Sequence, residues 1–355
     1  MAIVKADEVW RQPKSVAGGE VNLGGKPVKM PPSGAKARLR RIVARSPEVV
    51  VKVTGRTRKG AAHLKAHLDY ITRNGKLTAE LPDGRVISSR TELRDLHQDW
   101  VDSNQRISRR RTPGSAESIN TILSMRPGTP PDIVEAAARN WARETFTDRH
   151  DWLMVRHDDS EHPHVHVTVR AVGSDGRRLS VGPQQLQDWR ERFARELRRY
   201  GLEAEATPRQ ARGIVPKAPS LAEHHRRVDG RSSTTRQRER DNATKEVARE
   251  KPSAAPHWSW TIQQRQENIR SAYLHHATVL GQGDDDDRRL GRDIRRFVED
   301  LPVALTRQQS LEVELRAVRA KLDSDGPSRA PLGAPLVREP VREMPEPSPP
   351  SRPWS

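Results

Sequence analysis

The chain has 355 residues, 33% hydrophobic and 31% charged, with a mean hydropathy of -0.87, so at roughly 100–200 residues per domain it holds one or two domains and much of it cannot be core. Lys and Arg number 64 against 47 Asp and Glu, and the resulting charge of +17 makes a polyanion the first partner to expect. The absence of cysteine excludes disulfides, thiolate zinc sites, iron–sulfur clusters and cysteine nucleophiles, and suits a reducing compartment; no apolar run approaches the roughly 18–20 residues of a membrane span, and residues 1–16 are too polar for a secretory signal.

Residues 1–46 hold Gly, Pro, Lys and Arg without sustained apolar period and read as a disordered basic arm. A β-branched run at 49–53 predicts a buried strand, and after a turn-like stretch at 55–60, Leu64, Leu68 and Ile71 fall at i, i+4, i+7 of a helix that Asn74-Gly75 ends. Residues 77–89 read as a hairpin about Pro82-Asp83-Gly84, and 91–102 as a helix capped by Thr91. A basic irregular stretch at 106–115 precedes a strand at 119–125, and Pro130-Pro131 opens a helix to Phe146. Strands at 151–156 and 165–172 follow, then an amphipathic helix through Leu186, Trp189, Phe193, Leu197 and Tyr200, stopped by Gly201.

This order predicts an α/β (α+β) fold, an antiparallel sheet with helices packed on it, over residues 47–213. Residues 214–256 read as a polar linker and 257–323 as a helical accessory region in two pieces, split by Gly281-Gln282-Gly283 and the four aspartates that follow. Residues 324–355, with nine prolines from Pro327 to Pro353, read as an extended tail. The 47–213 domain is expected to stand alone, with the distal region left for partner docking unless its helices pack on that domain.

The stretch His157-Asp158-Asp159-Ser160-Glu161-His162-Pro163-His164-Val165-His166-Val167-Thr168-Val169 is the most informative. Strand alternation puts His164, His166 and Thr168 on one face and the three valines on the buried other. If residues 158–163 form the turn, His157 lies opposite His164, and three imidazoles converge as a catalytic metal with open positions requires. His162 then faces away or lies in the turn. Asp159 either orients an imidazole N–H or is a solvated turn carboxylate.

On the preceding helix His63, His67, Tyr70 and Asn74 form a stripe apart from the leucine core stripe, which leaves Tyr70 available for chemistry. A phenol beside a metal that polarises a phosphodiester can attack phosphorus. Of the three tyrosines, Tyr200 sits on an apolar helical face and Tyr273 in the distal region, and both read as packing residues. Tyr70 is the candidate by elimination; without the histidine strand it would read as a partly exposed structural residue.

With these residues in place, the chain resembles the conjugative relaxases, or mobilisation nucleases, of the histidine–hydrophobe–histidine superfamily. Leu68-Asp69-Tyr70-Ile71-Thr72-Arg73-Asn74-Gly75 is similar to the nucleophile motif of its mobilisation and T-DNA-transfer branch, and His157-x-Asp159 with His162-Pro163-His164-Val165-His166 to its metal motif. The resemblance implies Tyr70 as nucleophile and His157, His164 and His166 as metal ligands. Ser124 with Pro127-Gly128-Thr129 resembles the middle motif, in which a serine or nearby backbone helps hold DNA; His67, Asn74, Asp159 and His162 are further candidates for supporting or DNA contacts. Arg170 departs from the pattern, standing where a polar amide is expected, and no helicase or primase motif follows.

The implied reaction is site- and strand-specific nicking of single-stranded or extruded origin-of-transfer DNA through a 5′-phosphotyrosyl intermediate. Imidazole ligands alone favour zinc, copper, iron or nickel, whereas the resemblance implies Mg²⁺ or Mn²⁺. It also implies a relaxosome accessory protein and a type IV secretion coupling protein as partners, and a bacterial cytoplasmic protein carried with its DNA into the recipient. The rivals are a rolling-circle replication initiator of the same superfamily and a non-catalytic DNA-binding accessory protein whose histidine strand is structural.

Overall fold

The structure, a computed structural model, describes residues 30–107, 114–214, 226, 234–249 and 257–324. The expectations for residues 1–29, for the basic stretch at 108–113, for most of the linker and for the tail beyond 324 lie outside the described residues.

Six strands form one antiparallel sheet in the order β1-β4-β6-β5-β2-β3. They are β1 (Val50–Arg56), β2 (Ala79–Glu80), β3 (Val86–Ile87), β4 (Ser118–Ser124), β5 (Trp152–His157) and β6 (His164–Arg170). The helices of this domain are α1 (Ser33–Val43), α2 (Gly60–Ile71), α3 (Arg90–Ile107), α4 (Pro131–Phe146) and α5 (Pro183–Arg199). The α+β expectation holds. β1 runs past the expected turn because a bulge between Val53 and Gly55 keeps it paired with β4 as far as Arg56.

The alternation of β5 divides the core. Trp152 and Met154 join Val165, Val167 and Val169 of β6 against Trp141, Trp189 and Phe193 of α4 and α5. Leu153 and Val155 face the other way, against Leu64, Leu68 and Ile71 of α2 and Trp100 of α3. Edge-to-face contacts among Trp141, Phe146 and Trp189, with centroids 5.3–5.7 Å apart, lock the first layer. The second layer fixes α2, the tyrosine-bearing helix, over β5.

Three local expectations are corrected. The cap of α3 is Ser89, whose hydroxyl accepts the Glu92 amide at 3.2 Å while the Glu92 carboxylate accepts the amides of Ser88 and Ser89; this reciprocal box satisfies more free helix-end donors than Thr91 could. Residues 33–43, assigned to the arm, form α1, because Leu39 and Ile42 find an apolar partner surface. Tyr200 is 42% exposed rather than packed, its hydroxyl accepting from Asn140 at 3.0 Å. Arg170, the residue that departs from the family pattern, is buried and paired with Asp151 at 2.7 Å.

The distal region also departs from expectation. It contains α7 (His257–Leu280), α8 (Asp285–Glu299) and α9 (Arg307–Ser324), and helix α6 (Thr234–Val247) lies in the stretch read as linker. The aspartate run starts α8 instead of separating helices: Asp284 caps it, accepting the Asp287 amide at 2.8 Å, and three aspartates occupy its positive first turn. Among the described residues, 257–304 belong to one compact unit with those from 30 to 214. In that unit Tyr273, Ala277 and Leu280 of α7 and Leu290, Ile294 and Phe297 of α8 bury Leu39 and Ile42 of α1, and the Tyr273 hydroxyl donates to the Ala211 carbonyl at 2.8 Å. The second unit holds α6 and α9, linked by an Arg307–Glu239 ion pair at 3.5 Å. No described helix is long and apolar enough to cross a membrane.

Candidate active site

The β5–β6 register pairs His157 with His164, and period-two alternation puts His166 on the same face. Ring centroids of the three histidines lie 4.3–5.4 Å apart, and one nitrogen from each falls within 4.8 Å of the others. Two hydrogen bonds assign tautomers. His157 donates from Nε2 to the Ile71 carbonyl at 2.6 Å, which leaves its Nδ1 as the lone-pair donor. His164 donates from Nδ1 to the His162 carbonyl at 2.9 Å, which leaves Nε2.

Burial disfavours the charged form of two of the three rings. Burial pushes the His166 imidazole down to about 3, with the adjacent His157 and His164 rings adding to the fall. Burial likewise lowers His157, outweighing the opposing hydrogen bond to Ile71. Three imidazoles with one nitrogen each grouped this closely fit a divalent metal ion, and this triad can hold one.

Tyr70 sits in the last turn of α2, 73% exposed, because Leu64, Leu68 and Ile71 take the core side of that helix at 0–1% exposure. The Ile71 carbonyl is one of the groups a helix C-terminus leaves unbonded, and His157 supplies its donor, so the tyrosine turn and the histidine cluster are joined directly. Tyr70, Asp69, Arg73, Asn74, Lys76, His157 and Asp159 line one open groove of about 460 Å³.

The remaining sequence candidates fall in distinct places. His67, one turn before Tyr70, meets the Thr168 hydroxyl at 2.8 Å and so ties α2 to β6; burial pushes its imidazole down to about 4, with His63 adding to the effect. Asn74 adopts φ 60° and accepts a 3.4 Å contact from Arg90. Ser124 stands opposite His164 in the β4–β6 register, its hydroxyl donating to the Met125 carbonyl at 3.3 Å. His162 lies outside the triad, against the Met125 carbonyl at 3.1 Å. Asp159 is 3.6 Å from His164 Nε2 and pairs with Arg73. Sequence reasoning assigned no role to Arg73 or Lys76; the available signal was a cation three residues after the tyrosine, one helical turn away.

Comparison with known proteins bears on this arrangement: residues 70–202, from the tyrosine through all three histidines, match the family Relaxase: MobA/VirD2-like, nuclease domain. Over that part the chain is similar to relaxase domains of the mobilisation and T-DNA-transfer branch. Among curated proteins the chain is similar to the T-DNA border endonuclease VirD2 of Rhizobium radiobacter, 27% identical over 195 residues that cover 50% of this chain and 46% of that protein. Proteins of the same name from Agrobacterium fabrum and Rhizobium rhizogenes are each 24% identical over 195 residues, covering 50% of this chain and 44% and 45% of theirs. The chain therefore spans about half the length of the curated relatives it matches.

Proposed function

We propose that this protein is a site- and strand-specific DNA endonuclease that works by tyrosine transesterification. The observation that carries the reading is the groove in which an exposed Tyr70 and the cluster histidine His157 are both lining residues. The Tyr70 oxygen bonds to the scissile phosphorus as its proton leaves to solvent. The bond from phosphorus to the 3′ oxygen breaks, and that oxygen takes up a proton. One ester replaces another, so the reverse attack reseals the strand without a nucleotide cofactor. A divalent ion, Mg²⁺ or Mn²⁺ by resemblance to the family, would polarise the phosphodiester when held by His157, His164 and His166. His157 also holds the end of α2 through Ile71, which sets the tyrosine turn against the cluster.

The substrate class is single-stranded or extruded origin DNA of a mobile element. A relaxosome accessory protein and a secretion coupling protein complete the process, which begins in the bacterial cytoplasm and ends with the protein carried into the recipient on its DNA. The test is incubation of the full chain with single-stranded origin DNA and Mn²⁺. A covalent adduct should form at Tyr70, survive denaturation and disappear in Tyr70→Phe while DNA binding persists. Mass spectrometry that placed the nucleotide on Tyr200 or Tyr273 would reject the assignment.

A further inference from the structure

The motif that ends α2 contains a backbone feature the nicking reaction does not account for. Arg73 and Asn74 have φ of 50° and 60°, in the left-handed region, immediately before Gly75 at 77°. Left-handed backbone is unfavourable for a long side chain such as arginine's, and two such residues in succession persist only where the fold over-determines them. Here it does so through hydrogen bonds from the Arg73 amide to the Tyr70 carbonyl at 3.2 Å and from the Asn74 amide to the Asp69 carbonyl at 2.7 Å. The consequence is that the chain doubles back and sets Arg73 in the groove it shares with Tyr70.

The Arg73 guanidinium meets one oxygen of Asp159 at 2.5 Å, and the other oxygen of that carboxylate lies 3.6 Å from His164 Nε2, the nitrogen whose lone pair faces the cluster. Asp159 thus presents two oxygens that share one negative charge, one toward a guanidinium and the other toward the metal-binding side of a histidine. The two non-bridging oxygens of a phosphodiester share one charge in the same way, and arginine recognises both groups through the same N–H donors. The Arg73–Asp159 pair is about half exposed on both sides, 49% and 46%, so solvent screens it and an incoming anion displaces it at little cost. Lys76 lines the same groove and has no ion-pair partner among the described residues, whereas Asp69 is paired with Lys65.

We propose that Arg73 is the phosphate-binding residue of the groove and that Asp159 occupies the phosphate position until a phosphate takes it. The identity of that phosphate as the scissile group of DNA rests on the proposed function; the phosphate site itself does not. The test is titration of the metal-stripped full chain with inorganic phosphate, followed calorimetrically. Asp159→Asn should bind up to about fivefold more tightly than the natural protein, because the competing carboxylate charge is gone. Arg73→Ala should abolish that gain in the Asp159→Asn background, and Arg73→Lys should keep part of it. Phosphate held elsewhere on this basic chain responds to none of these changes. Equal affinity in the natural protein and Asp159→Asn, or a gain that survives Arg73→Ala, would overturn the proposal. A protein that binds phosphate through Arg73 but forms no tyrosine adduct retains this site and rejects the nicking reaction; adduct formation without Arg73-dependent phosphate binding does the reverse.

Discussion

Replacing His157 and replacing His164 should separate two roles that a shared metal would merge. Both changes remove one of the three proposed ligands, so both should abolish binding of Mn²⁺ to the full chain. Their effects on the metal-free fold differ. The His157 side chain is buried and its Nε2–H is the donor to the Ile71 carbonyl at 2.6 Å, so His157→Ala leaves a buried helix-end acceptor unpaired. A stranded buried polar group costs about 1–3 kcal/mol. In His164→Ala the released acceptor is the His162 carbonyl, which still receives the Ser160 hydroxyl at 2.9 Å, so no comparable penalty arises. At about 2–4 °C per kcal/mol for a domain of this size, His157→Ala should melt roughly 2–12 °C below His164→Ala. Calorimetry in excess chelator makes the comparison without metal linkage to either state. Equal melting temperatures would show that the His157–Ile71 bond does not hold the end of α2, and that Tyr70 is positioned by the leucine stripe alone.

Three further outcomes are expected. Ending the chain after Ile214 removes α7 and α8 and uncovers Leu39 and Ile42, which are 5% and 3% exposed in the intact protein; at about 1.5–3 kcal/mol for each large apolar side chain, the shortened protein should lose roughly 3–6 kcal/mol in urea titration, and unchanged stability would show that the distal helices are not part of the nuclease core. The logarithm of DNA affinity should fall with the logarithm of salt by about 0.7 for each phosphate neutralised on a single strand, and a flat titration by fluorescence anisotropy would remove the +17 charge from the binding argument. His67 is held neutral, its folded value of about 4 lying below its ordinary 6.5, so the unfolded chain binds the extra proton and stability is lost as pH falls through that window; His67→Gln should flatten the pH dependence of metal-free melting between about 6.5 and 4, and an unaltered slope would contradict the burial argument.

Much of the site was legible because it is written in local periods. Val165, Val167 and Val169 must face the core, so His164 and His166 must share the opposite face, and no other outcome is compatible with a strand. Leu64, Leu68 and Ile71 likewise determine which side of α2 is buried and leave Tyr70 outside. Only the length of the turn had to be supposed for His157 to fall opposite His164. The capping of α3 was locally encoded too, in Ser89 and Glu92, but an adjacent threonine competed for the same reading.

What tertiary structure alone decided is the set of contacts between segments far apart in sequence. His157 meets the Ile71 carbonyl, and Asp159 meets Arg73, each across 86 residues; neither side carries a periodicity that names the other. The same holds for α1, whose eleven residues are too few to be a stable helix alone and whose apolar pair acquires meaning only when α7 and α8 cover it. Alternation and helical period report which face of an element avoids water. They carry no information about which distant surface does the covering, because burial is non-directional and many apolar faces satisfy it equally well. The partner is selected by shape and by the few hydrogen bonds that close correctly, and these exist only once the chain has folded.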